Sequence, residues 1–371
     1  MLNQQRLLNE FFEMVKISSP SKKEGKFARY LRRILEDIGL EVEIDDAGEK
    51  IGGDTGNVIA RLKGNNANMP IILSAHMDTV EPCDSIVPFI EGNRIISKED
   101  TILSADDKGG IAAIVEALRV IMEHNLPHGN IEAVFTICEE IGMHGAKNLD
   151  LEQLKGVICF IFDCDGKPGT IIKQGPAKDV IKAVVKGRRA HAGLCPEEGI
   201  SAIQIAAEAV SNMNLLRIDE DTTANIGTFY GMTATNVVCD QVEIIAEARS
   251  LYNEKLDIQT RHMVDCLENS AKKYGGKTEI EIHRSYAAFN LSEEDQSVAL
   301  AKQAVLNLGL LPNLVSTGGG SDANVLNSKG ICSVDLGIGM TNVHTSEEYI
   351  KVEDLVNTTK LILEIIKLSK K

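Results

Sequence analysis

Histidine and carboxylate side chains recur in five short segments of this 371-residue chain, each at the predicted end of a buried strand. The segments contain His76 and Asp78, Asp106 and Asp107, Glu139 and Glu140, Asp163 and Asp165, and His344. Two imidazoles and several carboxylates, without a set of cysteine ligands, are typical donors of sites that hold two hydrolytic divalent metals. The pattern therefore indicates the chemistry of a metallohydrolase.

The first segment places His76 two residues before Asp78. In extended backbone, residues at this spacing point to the same side. Asp78 could then accept a hydrogen bond from the imidazole nitrogen that does not bind metal, which would fix the tautomer and raise the basicity of the ring. The alternative interpretation is a hydrogen-bonded histidine beside a helix-capping aspartate, and the segment alone leaves both open.

The second segment, Asp106-Asp107-Lys108-Gly109-Gly110, precedes a long predicted helix. Acidic residues at this position commonly cap a helix and interact favourably with its dipole. The alternative is that one aspartate bridges two cations. Taken alone, the segment favours capping.

The Glu139–Glu140 pair follows the apolar run Ala133–Ile137. Two carboxylates at the end of a buried strand are costly unless they are neutralised. One of them can bind metal while its neighbour takes a proton from water. An exposed helix start would explain one of the two residues but not the pair.

A glycine-rich loop, Gly318-Gly319-Gly320-Ser321-Asp322, lacks the patterns of a serine-nucleophile elbow and of a nucleotide-binding loop. Such a backbone ahead of a helix can cradle an anion, for example a peptide carboxylate, although a plain turn is the simpler interpretation. His191, between Arg189 and Gly193, is either part of a surface turn or a donor that stabilises an oxyanion.

Composition excludes several classes of function. A net charge of −15 argues against nucleic acid as a partner, because phosphate backbones require a basic surface. Hydrophobic content of 43% is ordinary for a soluble protein, and no apolar run reaches membrane-spanning length. Eight scattered cysteines without a Cys-x-x-Cys motif indicate reduced thiols and a cytoplasmic location.

The elements that must position these residues suggest two domains. Strands and helices alternate over residues 1–177 and 287–371, which predicts an α/β domain with a mostly parallel, helix-covered sheet and a final helix ending at Lys371. Ligands collect at the carboxyl ends of strands in such sheets, where distant residues can converge. Residues 178–286 predict an inserted α+β domain, with strands over 180–186, 236–248 and 278–284 and helices over 201–213 and 255–274.

Taken together and in this order, the segments resemble the M20 metallopeptidase family, most closely its peptidase T (tripeptidase) branch. The resemblance implies a zinc-peptidase-like catalytic domain with two divalent metals, zinc foremost and cobalt or manganese as alternatives. It assigns the metal ligands His76, Asp106 as the bridge, Glu140, Asp165 and His344. Asp163 is the alternative if the register shifts by two residues, Asp78 would orient His76, and Glu139 would be the general base.

The resemblance further implies that the insert is a lid or dimerisation domain, so the protein is expected to be a homodimer. His191 matches a lid histidine that reaches an active site across the dimer, and the substrate-contacting residues would be Asn236, Arg249, Gly319 and Gly320. The expected reaction is hydrolysis of the N-terminal peptide bond of short peptides. The alternatives are hydrolysis of N-acyl amino acids on the same scaffold and non-catalytic peptide binding.

Overall fold

The chain, described here by a computed structural model over residues 2–369, divides into two compact units. The first unit contains residues 2–173, 290–316 and 321–369, and the second contains residues 174–289 and 317–320. Each unit has its own apolar core. The predicted end of the last helix at Lys371 lies outside the described residues.

Helices and strands alternate along most of the first unit, as its sequence predicts. In chain order over both units, the helices are α1 Gln4–Val15, α2 Gly25–Ile38, α3 Ala47–Ile51, α4 Ala105–His124, α5 His144–Asn148, α6 Ala202–Asn212, α7 Asn253–Tyr274, α8 Gln296–Asn307, α9 Asp322–Ser328 and α10 Val352–Leu368. The strands are β1 Glu41–Ile44, β2 Val58–Leu62, β3 Ile71–His76, β4 Pro88–Glu91, β5 Arg94–Ser97, β6 Ile131–Thr136, β7 Ile158–Cys164, β8 Thr170–Gly175, β9 Ala177–Lys186, β10 Leu216–Arg217, β11 Thr222–Tyr230, β12 Gln241–Ser250, β13 Lys277–Tyr286, β14 Phe289–Asn290, β15 Asn313–Ser316, β16 Cys332–Gly337 and β17 Tyr349–Lys351. None of the helices within residues 2–369 has the length and apolar content that a membrane span requires.

A mixed sheet with a parallel centre forms the core of the first unit. Its strands lie in the order β1-β2-β6-β3-β7-β16-β8-β14, and β15 also pairs with β8. The four strands β6, β3, β7 and β16 are mutually parallel, whereas β1, β2 and β8 pair antiparallel with their neighbours. All residues of β3 and β6 are buried, as expected for central strands covered by helices. The predicted fold class, α/β with a mostly parallel sheet, is confirmed.

The parallel centre brings distant segments of the sequence to one edge of the sheet. His76 is the last residue of β3, and Glu139 and Glu140 follow the end of β6. Asp163 is the penultimate residue of β7. Because parallel strands end on the same side, these side chains are directed to a common region.

The second unit is an antiparallel sheet in the order β10-β11-β12-β9-β13, against which α6 and α7 pack. The strand predicted over 236–248 begins later than predicted. Residues 236–240 form a turn and an isolated bridge, and β12 begins at Gln241. Strand β11 was not predicted, since Thr222–Tyr230 mixes small polar residues with Gly227 and carries a register shift between Ile226 and Thr228.

Candidate metal centre

His76 lies at the centre of a cluster of carboxylates in the first unit. Its side chain is only 2% exposed, and Nε2 lies 2.9 Å from Asp106 Oδ1 and 3.3 Å from Asp163 Oδ1. The other ring nitrogen, Nδ1, lies 2.8 Å from the main-chain carbonyl oxygen of Asp78. A proton on Nδ1 donated to this carbonyl would leave the Nε2 lone pair directed at the carboxylates.

The side chain of Asp78 lies closer to the Glu139–Glu140 turn than to the His76 ring that it was predicted to orient. Its Oδ1 is 3.5 Å from His76 Nδ1, farther than the main-chain carbonyl of the same residue. Oδ1 accepts a hydrogen bond from the N–H of Glu139 at 2.9 Å, and Oδ2 accepts from the N–H of Glu140 at 3.2 Å and from Ser21 Oγ at 2.7 Å. Asp78 therefore orients His76 through its carbonyl, and its carboxylate holds the Glu139–Glu140 turn.

Asp106 lies between the two predicted metal-binding histidines. Its Oδ1 faces His76, whereas its Oδ2 lies 3.2 Å from Nε2 of His344. The same His344 nitrogen is 3.0 Å from Glu140 Oε1. One carboxylate with each oxygen directed to a different imidazole is the arrangement that a bridging ligand between two cations requires.

Asp106 and Asp107 face different partners. The peptide bond between the two is cis, and neither has helical backbone angles. Asp107 Oδ1 accepts the N–H of Gly110 at 3.2 Å, which caps α4, and its Oδ2 accepts the N–H of His76 at 3.1 Å. Asp106 faces the histidines. Since hydrogen bonds from the main chain occupy the oxygens of Asp107, we assign it a structural role.

The carboxylate that lies beside His76 at the end of β7 belongs to Asp163, the predicted alternative to Asp165. The Asp163 side chain is 10% exposed and lies in the cluster, whereas Asp165 is exposed and contacts Cys164 Sγ at 3.6 Å. The reason is local: β7 ends at Cys164, so Asp163 is held in the sheet while Asp165 already lies in the turn that follows. The main chain at Asp163 is anchored by its N–H, which donates to Asp335 Oδ1 at 3.2 Å.

The charges of the cluster are strongly coupled. Burial and then the negative charge of Asp163 raise the pKa of Glu139 well above its ordinary value. Burial also raises the pKa of Asp163. Burial opposes ionisation of Asp106, but hydrogen bonds with His344 and His76 lower its pKa below the usual range. Hydrogen bonds with Asp106 and Glu140 raise the pKa of His344 to about 10.

These shifts show that negative charge is in excess. Both imidazoles bind a proton more tightly than usual, and Glu139 and Asp163 still resist ionisation. A divalent cation would relieve this repulsion. The donors fit such a cation, because His76, Asp106 and Glu140 each offer an atom within 4.8 Å of the others. Asp163 Oδ1 also lies 3.3 Å from His76 Nε2. Nitrogen and oxygen donors of this kind suit zinc and similar hydrolytic metals.

Further buried carboxylates, to which the sequence analysis gave no role at the metal site, lie around the cluster. Asp322 Oδ2 accepts from Thr136 Oγ1 at 2.6 Å, and burial raises the pKa of this carboxyl to about 6. Burial raises the pKa of Asp335 to about 7. Both Oε atoms of Glu348 accept main-chain N–H groups, one of them from Asp106. An acidic residue inside the apolar run Cys332–Gly337 was a signal that could have revealed Asp335.

His191 and Asn236, two predicted site residues of the second unit, lie in segments that are joined by a main-chain hydrogen bond. His191 is exposed, and its Nδ1 accepts hydrogen bonds from the N–H groups of Gly193 at 3.2 Å and Leu194 at 3.1 Å. Its ring proton therefore lies on Nε2, which is a donor. The main-chain carbonyl of Asn236 accepts the N–H of Ala192 at 2.9 Å, and its side chain is exposed.

The remaining predicted residues also belong to the second unit. Arg249 donates from Nε to Glu247 Oε1 at 2.8 Å and from Nη1 to the carbonyl of Gly318 at 3.2 Å. The N–H of Gly319 donates to Thr317 Oγ1 at 3.1 Å. Gly320 is required for close packing, because a Cβ there would lie 2.3 Å from the ring of Tyr286.

Comparisons with known proteins agree with the observed fold. Residues 72–368 match peptidase family M20/M25/M40. The crystal structure of aminopeptidase PepT from Bacillus cereus is 44% identical, with a TM-score of 0.93 over 99% of this chain and 98% of that one. The structure of a tripeptidase from Staphylococcus aureus is 40% identical, with a TM-score of 0.96 over 100% and 99%. Peptidase T of Geobacillus thermodenitrificans is 28% identical over 98% of both chains.

Metal binding to the metal-free protein is expected to release protons. His344, whose pKa is about 10, carries a proton at neutral pH and must lose it to bind a metal. Because this folded-state pKa is raised, affinity for divalent metal should increase as pH rises through neutrality toward that value. Calorimetric titration with zinc in two buffers of different ionisation enthalpy measures the protons released.

The matched variant is His344→Ala, which should release about one proton fewer than the parent. Heats that do not depend on the buffer would contradict the proposed charge state of this histidine.

Proposed function

Because this chain belongs to peptidase family M20/M25/M40, we propose that it removes the N-terminal residue from short peptides, with tripeptides as the preferred substrates. The chain is a metallopeptidase, and its similarity to a tripeptidase extends over its whole length. The observation that carries the proposal is the position of Asp106, whose two oxygens face His76 and His344. This geometry supports a two-metal hydrolytic site.

We propose zinc as the metal, with cobalt or manganese as alternatives. One ion would be held by His76, Asp106 and Asp163, and the other by Asp106, Glu140 and His344. Bound there, two divalent ions supply Lewis acidity, which lowers the pKa of water and polarises the scissile carbonyl. The short distances between imidazole nitrogens and carboxylate oxygens support this assignment, because the proposed ligands of each ion already lie close together.

Glu139 is proposed as the general base. Its side chain is buried, and Asp78 holds its main-chain N–H, so the carboxylate is presented from a fixed turn. It would take the proton of the attacking water and pass it to the leaving amine. Burial and then the neighbouring negative charge raise the pKa of Glu139, which favours retention of that proton between the two steps.

Residues of the second unit are proposed to bind the substrate. His191 would stabilise the oxyanion with its Nε2 proton, a contribution of about 3 kcal/mol. Its hydrogen bonds through Nδ1 support this role, because they leave Nε2 as the donor. Arg249 would attract the peptide carboxylate, and Asn236, Gly319 and Gly320 would contact the peptide.

We further propose a cytoplasmic homodimer formed through the second unit. All eight cysteines are free, which supports a reducing compartment. Exposed apolar side chains of the second unit, including Leu194 and Met232, support an interface there. Sedimentation equilibrium would test the dimer, and a monomeric mass at micromolar concentration would contradict it.

Asp163→Asn is expected to lose about one of the two metal ions, because the carboxylate beside His76 becomes a weaker, neutral ligand. Asp165→Asn is the matched control and should keep both ions, since its side chain is exposed. Elemental analysis of the purified, dialysed proteins gives the metal content. The reverse pattern would restore Asp165 as the ligand.

Glu139→Ala is expected to reduce kcat by about 10²- to 10⁴-fold while the metal content stays that of the parent, because proton transfer is lost and the ligands remain. Glu139→Gln, which keeps the shape of the side chain, should show the same loss. Glu152→Ala, at an exposed glutamate, is the control. Loss of metal from either Glu139 variant would mean that this residue is a ligand.

A substrate panel separates the peptidase from a hydrolase of N-acyl amino acids. Trialanine should be cleaved with a higher kcat/KM than dialanine or tetra-alanine, and N-acetyl-trialanine should be resistant because the free amine is blocked. Liquid chromatography of the products measures both the rate and the bond that is cleaved. Faster hydrolysis of N-acetyl or N-succinyl amino acids than of trialanine would establish the alternative activity.

A further inference from the structure

We infer that Glu348 is a positioning residue for metal binding: it fixes the main chain that carries Asp106, the proposed bridging ligand. The inference rests on the proposed two-metal function. Glu348 itself faces main-chain donors, so its effect on the metals would act through Asp106.

The carboxylate of Glu348 is almost fully buried, with an exposed fraction of 1%. Its Oε2 accepts the N–H of Leu103 at 2.8 Å and that of Ser104 at 2.9 Å, and its Oε1 accepts the N–H of Asp106 at 3.0 Å. Three donors from four consecutive residues thus converge on one side chain. Ser104 has a φ of 62°, a left-handed conformation that is unfavourable for serine and needs such support.

The segment of residues 344–348, here called the His344 segment, contacts Asp106 at two points. His344 Nε2 lies 3.2 Å from Asp106 Oδ2, and four residues later Glu348 accepts the N–H of Asp106. The side chain and the main chain of Asp106 therefore both contact the His344 segment. A bridging carboxylate must be placed within fractions of an ångström to bind both metals. We expect these two contacts to matter most for the ion that Asp106, Glu140 and His344 would hold.

The three N–H donors around Glu348 match the acceptors of a carboxylate. An ionised glutamate offers only acceptors, which matches three N–H donors. A glutamine of the same shape would direct its NH₂ group at a main-chain N–H and leave at least one buried donor unpaired. Another negative charge beside an acidic cluster is unfavourable, so neutral glutamine would be the better residue if Glu348 only filled space.

The test compares Glu348→Gln with Glu347→Gln, an identical change at the adjacent, exposed glutamate. The measurements are zinc content after dialysis against low free zinc, the melting temperature of the metal-free protein, and kcat and KM for trialanine. Metal-free Glu348→Gln should fold and melt only a few degrees below the parent, because one buried N–H loses its acceptor. It should hold about one zinc ion instead of two. Its kcat at low zinc should fall about 10- to 100-fold and recover as free zinc is raised, with KM unchanged.

Glu347→Gln should match the parent in all three measurements. The inference is overturned if Glu348→Gln keeps both ions and full activity at low zinc. It is also overturned if the variant fails to fold at any zinc concentration, since that result assigns Glu348 a purely structural role. A parent protein that binds fewer than two ions would instead refute the two-metal proposal, before any variant is compared.

Discussion

Mutual repulsion among buried carboxylates is the constraint on which the first unit depends. Asp106, Asp163, Glu139 and Glu140 lie in one cluster, and two imidazoles are their nearest cationic partners. Burial makes each negative charge costly, and the carboxyl groups respond with raised pKa values except at Asp106, which contacts both histidines. The cluster is therefore suited to bind positive charge, supplied by protons in the metal-free protein and by divalent ions in the proposed enzyme.

A second set of carboxylates stabilises the main chain beneath that cluster. Asp78 accepts the N–H groups of Glu139 and Glu140, Asp107 accepts those of His76 and Gly110, and Glu348 accepts that of Asp106. These hydrogen bonds tie the backbone that carries the proposed ligands to neighbouring segments. The acidic composition of the motifs thus has two origins: some carboxylates face the proposed metals, and others hold the backbone that presents them.

Much of the first unit follows from local pattern. The runs that became β3, β6 and β7 are rich in branched and aromatic residues, and their length and apolarity are sufficient to predict central strands. The small sheet formed by β17, β5 and β4 was not predicted, because its strands are only three or four residues long and β17 lies far along the sequence from the β4–β5 pair. Short antiparallel strands depend on such nonlocal pairing, and their sequences carry little periodic signal.

The types of the site residues, and the strands that deliver them, were readable from the chain because buried strands and acidic turns have distinct local patterns. Which oxygen faces which partner was decided by tertiary structure. Asp163 rather than Asp165 reaches His76 because β7 ends between them, and a shift of two residues along the chain separates the sheet from the turn. Asp78 likewise uses its carboxylate on the Glu139–Glu140 turn because that turn, 61 residues away, offers two N–H groups. Local sequence cannot encode such contacts, since they exist only once distant strands pair.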